Sequence, residues 1–431
     1  MKTNFTPEQL ADPATAISEG AIRTCVHCGF CTATCPTYVL LGDERDSPRG
    51  RIWLIRDMLE RGATPTPEVV THIDRCLSCL ACVTTCPSGV DYAHLIDHAR
   101  AHVENRYRRP FADRALRWAL ANIIPHRARF AAMLRLGRVA SPLAGILGKR
   151  VDGLLYLARS NKPLAVKLEA SASAEQRKGR VIMQGGCAEP VLRPQYQAAA
   201  TRLLNRAGYD VLRAPQEGCC GSLVHHLGRE NEALGFVRRT IDAWWPLIED
   251  GNIDAIIATA SGCGATIKDY GFLMRADQAY AAKATRISAL TKDVTELLKP
   301  ADIARSMTRE VRVAYHSACS LQHGQKIALA PRTLLEAAGF RVSVPAEAHL
   351  CCGSAGTYNV LQPEIAGRLG DRKVEKLAAL NPEVIATGNI GCAVQIGART
   401  GIPVVHVVEL LDWASGGPMP AALRKNALET T

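Results

Sequence analysis

No stretch of this 431-residue chain reaches the roughly 18 consecutive apolar residues that suggest a membrane-spanning helix. The first twenty residues are polar and carry no apolar core of the secretory type. No glycine-rich GxGxxG follows a strand-like run; Gly262-Cys263-Gly264 stops at GxG. No HExxH zinc site and no Ser/His/Asp set stands out. These absences lead to an expectation of a soluble or peripheral, cytoplasmic protein that binds neither NAD nor flavin and has no catalytic residue of its own. What the chain does have is sixteen cysteines. With 47% apolar residues it can build cores without disulfides, so the cysteines read as metal ligands in a reducing compartment.

Composition divides the chain into four parts. Residues 1–105 carry eight cysteines on short helical and turn segments, behind a loose arm at 1–20. Residues 106–178 are basic, helical and free of cysteine, and close in a polar linker at 171–180. Residues 179–300 and 301–431 alternate short β-branched runs with helical stretches, which is the pattern of parallel-strand α/β units, and end in a frayed tail. The expected architecture is therefore α+β and multidomain: a small helical, cluster-binding domain, a basic helical segment, then a duplicated α/β unit.

The first motif runs Cys25-x2-Cys28-x2-Cys31-x3-Cys35-Pro36 and the second Cys76-x2-Cys79-x2-Cys82-x3-Cys86-Pro87. Both have the spacing of bacterial ferredoxins that hold two [4Fe–4S] clusters. Three thiolates two residues apart wrap one face of a cubane, and successive backbone N–H groups offset its charge. The fourth cysteine, turned by its proline, reaches the other cluster. The expected sets are thus Cys25, Cys28, Cys31 and Cys86 for one cluster, and Cys76, Cys79, Cys82 and Cys35 for the other. Zinc fits two such triplets poorly, because structural zinc takes four ligands, commonly in split pairs. Disulfides would strain thiols this close together.

The remaining cysteines form a repeat. Cys187 and Cys319 each precede a Cys-Cys-Gly by 32 residues, at Cys219-Cys220-Gly221 and Cys351-Cys352-Gly353, and Cys263 and Cys392 follow about forty residues later. VIMQGGC in the first half matches VAYHSAC in the second, so the α/β region is a duplication. The six strand-like runs at 181–185, 210–214, 254–259, 311–315, 341–344 and 383–387 each precede a cysteine, which puts these eight at the carboxyl ends of parallel strands, where open α/β sheets bind ligands. They are candidate cofactor ligands; buried structural cysteine is the alternative. His316, His323 and His349 near the second half, and His225 and His226 in the first, read as structural.

The paired cluster motifs, the two CCG motifs and Ser47-Pro48-Arg49-Gly50-Arg51 between the clusters resemble the iron–sulfur subunit of glycolate oxidase over about residues 20–415. Subunits of anaerobic glycerol-3-phosphate dehydrogenase, lactate-utilisation proteins and heterodisulfide reductase share the plan. The resemblance implies electron transfer from flavin-containing dehydrogenase subunits that oxidise glycolate to glyoxylate towards a quinone or other membrane acceptor, at the cytoplasmic face of the inner membrane. A complex acting on glycerol 3-phosphate or lactate, or a heterodisulfide-reductase-like protein, is the alternative. In heterodisulfide reductase each CCG motif ends in CxxC; here Thr266 and Gln395 stand at the matching places, so one ligand per half is missing. Further iron–sulfur clusters there stay open.

Between Arg106 and Arg150, eleven Lys and Arg face the single acid Asp113. Leu116, Leu120, Ile123 and Ile124 share one helical face, and Phe130, Met133, Leu134 and Gly137 another, with Pro125 between. A solvated face on a packed hairpin, an anionic lipid surface and an acidic patch on a flavin subunit all fit this charge. No nucleic-acid-binding motif accompanies it.

Overall fold

The computed structural model describes residues 1–140, 142, 177–303 and 309–424. Residues 171–176 of the expected linker, Lys149, Arg150 and the last residues of the tail lie outside them. Gly179 and Arg180, read as linker, instead open the first strand.

The α/β region contains two four-stranded parallel sheets. β1 (Gly179–Met183), β2 (Tyr209–Leu212), β3 (Ile253–Ala258) and β4 (Thr291–Asp293) stand in the order β2-β1-β3-β4. β5 (Arg312–His316), β6 (Arg341–Ser343), β7 (Val384–Thr387) and β8 (Val404–His406) repeat it as β6-β5-β7-β8. All the pairings are parallel. The six expected strands are present within two residues or so. β4 and β8 were not read from the sequence: each is a three-residue edge strand, and Thr-Lys-Asp has no β-branched run to mark it.

Successive strand residues feed different cores, as a period of two demands. Val181, Met183, Ala255 and Ile257 join Val313, Tyr315, Val384 and Ala386 in one core shared by both sheets. Ile182 and Ile256 face a second core behind the first sheet, and Ala314 and Ile385 a third behind the other. Both faces of each sheet are buried, as parallel sheets require. Each such Ile or Val contributes roughly 1.5–3 kcal/mol by its burial. Helices Pro194–Arg206 and Val407–Ala414 lie in the shared core and are tied by Asp412, which is 1% exposed and accepts from Arg202 and Arg206.

The N-terminal part is helical around its own core of Ile22, Ile55, Ile73, Leu95 and Ile96. The arm at 1–20 is not loose. Thr6 and Asp12 cap helices Pro7–Leu10 and Pro13–Thr24, the Met1 amine donates to the Cys25 carbonyl at 2.7 Å, and Gln9 donates to the carbonyls of Leu59 and Glu60. The apolar stripes of the basic segment pack inward: Leu120 and Ala121 of helix Phe111–Ile123 enter the core behind the first sheet, and Phe130 and Leu134 of helix Arg127–Val139 meet Leu192 and Tyr196. Its arginines are not all solvated. Arg109 and Arg117 are buried on Asp74 and Asp113.

Both sheets dock on the N-terminal part. Leu77 packs with Tyr358, Ile365 and Leu369 of the second half, and Tyr358 donates its hydroxyl to the Arg75 carbonyl. His94 bridges to the first half, 3.1 Å from Asp269 and stacked 3.5 Å from Phe272. Burial opposes its charge, but hydrogen bonds to Asp269 and Asp91 outweigh this and hold its pKa up to about 9. Because the folded pKa is raised, this stabilisation is complete below the ordinary histidine value of about 6.5 and is lost as pH rises through about 9. The melting midpoint should therefore fall between pH 7 and 9.5, and Asp269→Asn should flatten that slope; an unchanged slope in calorimetry would remove this clamp from the account.

Gly353 has φ +85°, and a Cβ there would lie 2.5 Å from the Ala366 carbonyl oxygen. Gly353→Ala should destabilise the α/β region by about 2–4 kcal/mol, whereas Gly218→Ala, with open space around it, should stay within about 1 kcal/mol, measured by chemical denaturation.

Candidate metal centre

The two ferredoxin-like motifs fold alike. Helix Pro13–Thr24 ends at Cys25; His27 and Gly29 are left-handed at φ 57° and 88°; Cys31 lies in helix Phe30–Thr34, which ends at Cys35. In the second motif Ser78 and Leu80 are left-handed at φ 49° and 60°, Cys82 lies in helix Ala81–Thr85, and Cys86 ends it. Left-handed residues on either side of the middle cysteine curl the loop into the concave shape that suits an anion. A leucine in that conformation costs about 1–2 kcal/mol. Leu80 faces Gly324 of the second half, where an added Cβ would lie 3.7 Å from its Cδ1.

The cysteines of the two motifs cross over in space. Cys25, Cys28, Cys31 and Cys86 line one cavity, and Cys35, Cys76, Cys79 and Cys82 line a second. Pro48, Tyr92 and Cys82 wall both, so the two are neighbours. Cys28 is exposed, with Val26 and Phe30 beside it in the chain at 66% and 62% exposure, whereas Cys76 and Cys82 are buried. Burial pushes the thiols of Cys31, Cys79 and Cys82 up, Cys31 to about 11. Clustered buried thiols of this kind are poor acids alone and good ligands once a cation draws off their protons.

Ser47-Pro48-Arg49-Gly50-Arg51 is explained residue by residue. Ser47 caps helix Pro48–Arg61 by accepting from the Gly50 N–H at 3.0 Å, and Pro48 takes the first helical position. Arg49 pairs with Glu44 and lies over Gly29. Gly50 is required, because a Cβ would fall 2.0 Å from the Glu44 carbonyl oxygen. Arg51 is fully buried: its Nε donates to the His72 carbonyl at 2.7 Å, Nη2 to Thr37 and Asp46, and Nη1 approaches Cys35 Sγ at 3.8 Å. Burial opposes its charge, but Cys76, Tyr92, Cys35 and Asp46 outweigh that. Arg51 was not singled out from the sequence, although the motif containing it was.

In the CCG halves the four cysteines converge. Cys219 is in hydrogen-bonding reach of Cys187 and Cys220, and Cys220 of Cys263. Cys351 reaches Cys319 and Cys352, and Cys352 reaches Cys392. Cys187 follows β1, Cys219 and Cys220 follow β2, and Cys263 follows β3; the second half repeats this after β5, β6 and β7. Gly221 and Gly353 are both left-handed, and each lies against a helix carbonyl, that of Ala233 or Ala366. All eight cysteines, together with Cys76 and Cys79, open onto one cavity of about 1060 Å³. Cys79 lies against Cys319 and Cys351 in the apolar seam between the N-terminal part and the second half. The donor sets therefore form one continuous series, which no spacing along the chain announces.

The histidines separate on inspection. His323 bridges Thr84 Oγ1 at 2.7 Å and the His349 carbonyl at 3.2 Å, and His225 and His226 lie near Asp97; these are interface contacts. His316 is fully buried beside Cys352 and Cys392. Lys373, also unforeseen, sits 3% exposed among the second-half thiols and donates to the Glu347 carbonyl at 2.8 Å.

Comparison with known proteins places this geometry. Residues 24–90 match a 4Fe-4S dicluster domain, and residues 181–268 and 313–397 each match a cysteine-rich domain. The chain is 41% identical to the glycolate oxidase iron-sulfur subunit of Escherichia coli over 96% of its length and 99% of the relative's. It is 29% identical to the probable glycolate oxidase iron-sulfur subunit of Bacillus subtilis over 93% and 95%. Lactate utilization protein A of Geobacillus thermodenitrificans is 26% identical over 50% of the chain and 90% of its own length. The protein carries iron–sulfur clusters, including a [4Fe–4S] pair, and its role is electron transfer.

Removing the Arg51 charge should make the nearest cluster harder to reduce. Arg51→Gln is expected to lower a midpoint potential by tens of millivolts, where 59 mV corresponds to about 1.4 kcal/mol for one electron, and Arg51→Lys by less. Redox titration followed by electron paramagnetic resonance reads both; equal potentials in all three proteins would show that Arg51 is structural alone.

Proposed function

Because the chain belongs to the family of glycolate oxidase iron–sulfur subunits, we propose that it is the electron-transfer subunit of a flavin-dependent complex that oxidises glycolate to glyoxylate. Flavin subunits take electrons from the hydroxy acid, and this chain conveys them towards a quinone or other membrane acceptor. The observation that carries this reading is the continuous series of donor sets. Cys25, Cys28, Cys31 and Cys86 hold one [4Fe–4S] cluster, and Cys76, Cys79, Cys82 and Cys35 hold the next. Cys187, Cys219, Cys220 and Cys263, and then Cys319, Cys351, Cys352 and Cys392, hold further iron. When bound, these clusters supply one-electron redox chemistry. The chain's own residues space the clusters, exclude water from the buried set and oppose its negative charge.

The exposed loop with Val26, Cys28 and Phe30 suits contact with a redox partner, since the first cluster lies nearest the surface there. Glycolate is favoured over lactate as the donor because the relatives named for lactate utilization align with only half of the chain. Among the described residues no helix is long and apolar enough to cross a membrane. The exposed Phe111, Trp118, Leu136 and Val139 on the two basic helices suit peripheral contact with a membrane or a flavin subunit. Arg127 is not part of that face, because its Nε donates to the Gly186 carbonyl at 2.6 Å.

The experiment is cluster reduction in the complex assembled with the flavin subunits. Glycolate should bleach the visible absorption of the clusters under anaerobic conditions. Cys31→Ser should remove one cluster and abolish onward transfer while leaving the α/β region folded. Bleaching by lactate or glycerol 3-phosphate but not by glycolate would overturn the donor assignment.

A further inference from the structure

The second CCG half has a donor that the first half lacks. His316 closes β5, three residues before Cys319. Its ring is fully buried; no oxygen or nitrogen partner meets either ring nitrogen, and one of them lies within hydrogen-bonding reach of the Cys352 thiol. One ring nitrogen, Cys352 Sγ and Cys392 Sγ all lie within 4.8 Å of one another. Thr387 Oγ1, in register with His316 on β7, is also buried without a partner. A buried imidazole whose nitrogens meet nothing better than a thiol is poorly satisfied unless something accepts its lone pair. An imidazole nitrogen among thiolates is a ligand for zinc or for iron–sulfur clusters.

Counting donors decides between these. Cys319, Cys351, Cys352, Cys392 and His316 are five, and structural zinc takes four. Five donors exceed what one zinc takes, and membership of an iron–sulfur family favours a cluster of several irons. Gln395, where a CxxC ending would place a ligand, is engaged elsewhere: its Nε2 donates to the Ala366 carbonyl at 2.9 Å, and its Oε1 accepts from Asn359. In the first half Gln184 stands where His316 does, and an amide is a poor ligand for a cluster. Seven residues beyond Ala233 comes Thr240, whereas seven beyond Ala366 comes the buried Lys373.

We propose that His316 is a nitrogen ligand, together with Cys319, Cys351, Cys352 and Cys392, of an iron–sulfur cluster in the second CCG half. The two halves then hold chemically different centres. Both halves offer four thiolates, so the imidazole adds a donor without adding negative charge, and the Lys373 ammonium raises the reduction potential of the second-half centre. With the Lys373 charge beside it, a cluster held there would be the more oxidising of the two. This rests on the iron–sulfur reading of the second half and is independent of which hydroxy acid supplies the electrons.

The test uses the full chain purified anaerobically, with 15N-labelled histidine. Iron should exceed eight atoms per chain, and pulsed electron paramagnetic resonance of the half-reduced protein should show a histidine nitrogen coupling of the size seen for a directly bound imidazole. His316→Gln should abolish that coupling, with the signals of the N-terminal clusters unchanged. His316→Cys should lose the coupling but keep the iron, which a packing role would not produce. His349→Gln should leave the coupling intact. An iron content of eight, zinc in the second half, absence of a histidine coupling, or a coupling that survives His316→Gln would each overturn the proposal. Glycolate-dependent bleaching with iron at eight would leave glycolate-linked electron transfer through the N-terminal clusters standing and remove this inference together with the iron assigned to the CCG halves.

Discussion

Burying many soft, anion-forming thiols in one interior is the constraint on which the rest of this structure depends. Two unit charges 4 Å apart repel by about 4 kcal/mol at an effective dielectric constant of 20. Crowding sixteen cysteines around a connected set of cavities therefore demands compensation from the surrounding chain. The left-handed turns at His27, Gly29, Ser78 and Leu80 shape concave loops whose backbone suits an anion. Arg51 places a buried guanidinium near Cys35, and Arg100 donates to the Cys76 carbonyl at 2.6 Å, behind the second motif. Lys373 does the corresponding work among the second-half thiols. Each cation is itself anchored by carbonyls or by Asp46, so that its position does not depend on the metal.

The same constraint explains what the sequence could and could not disclose. Ligand spacing is local, so both ferredoxin-like motifs and the duplicated CCG pattern were legible, as were the six strands that precede cysteines. The β-branched runs Val181–Met183 and Ile256–Ile257 announced themselves because parallel strands are buried on both faces. Edge strands β4 and β8 did not, since Thr291-Lys292-Asp293 has no β-branched run and neither strand leads to a cysteine. The compensating cations were also illegible. Lys373 sits in the middle of an ordinary amphipathic helix, Pro363–Ala378, and only the fold turns it towards Cys352. The arm at 1–20 looked polar and loose because its anchors, such as Gln9 on Leu59 and Glu60, are carbonyls fifty residues away.

Duplication gave the α/β region two equal frames, and divergence has made their contents unequal. Strand order, glycine conformation and the convergence of four cysteines are shared. The residues next to the thiols are not. Glu217 ties down the loop before Cys187 by accepting from the Gly185 and Gly186 amides and from Trp244, whereas His349 occupies the matching place in the second half. The second half also meets the N-terminal part through the seam in which Cys79 adjoins Cys319. The frame is conserved by packing, and the chemistry within it is set by the residues left free to vary.

The helix Val407–Ala414, locked onto Arg202 and Arg206 through Asp412, has a bearing on how the protein is made. A ribosome releases the chain from its N-terminus, so the region around Ile55 and Leu95 can condense and take up metal while the rest is still being synthesised. The core common to both sheets cannot close until this helix emerges. Until then Leu203 of the first half and Val313 of the second lack the cover that Leu410 and Leu411 give them, and the two halves stay unsealed against each other.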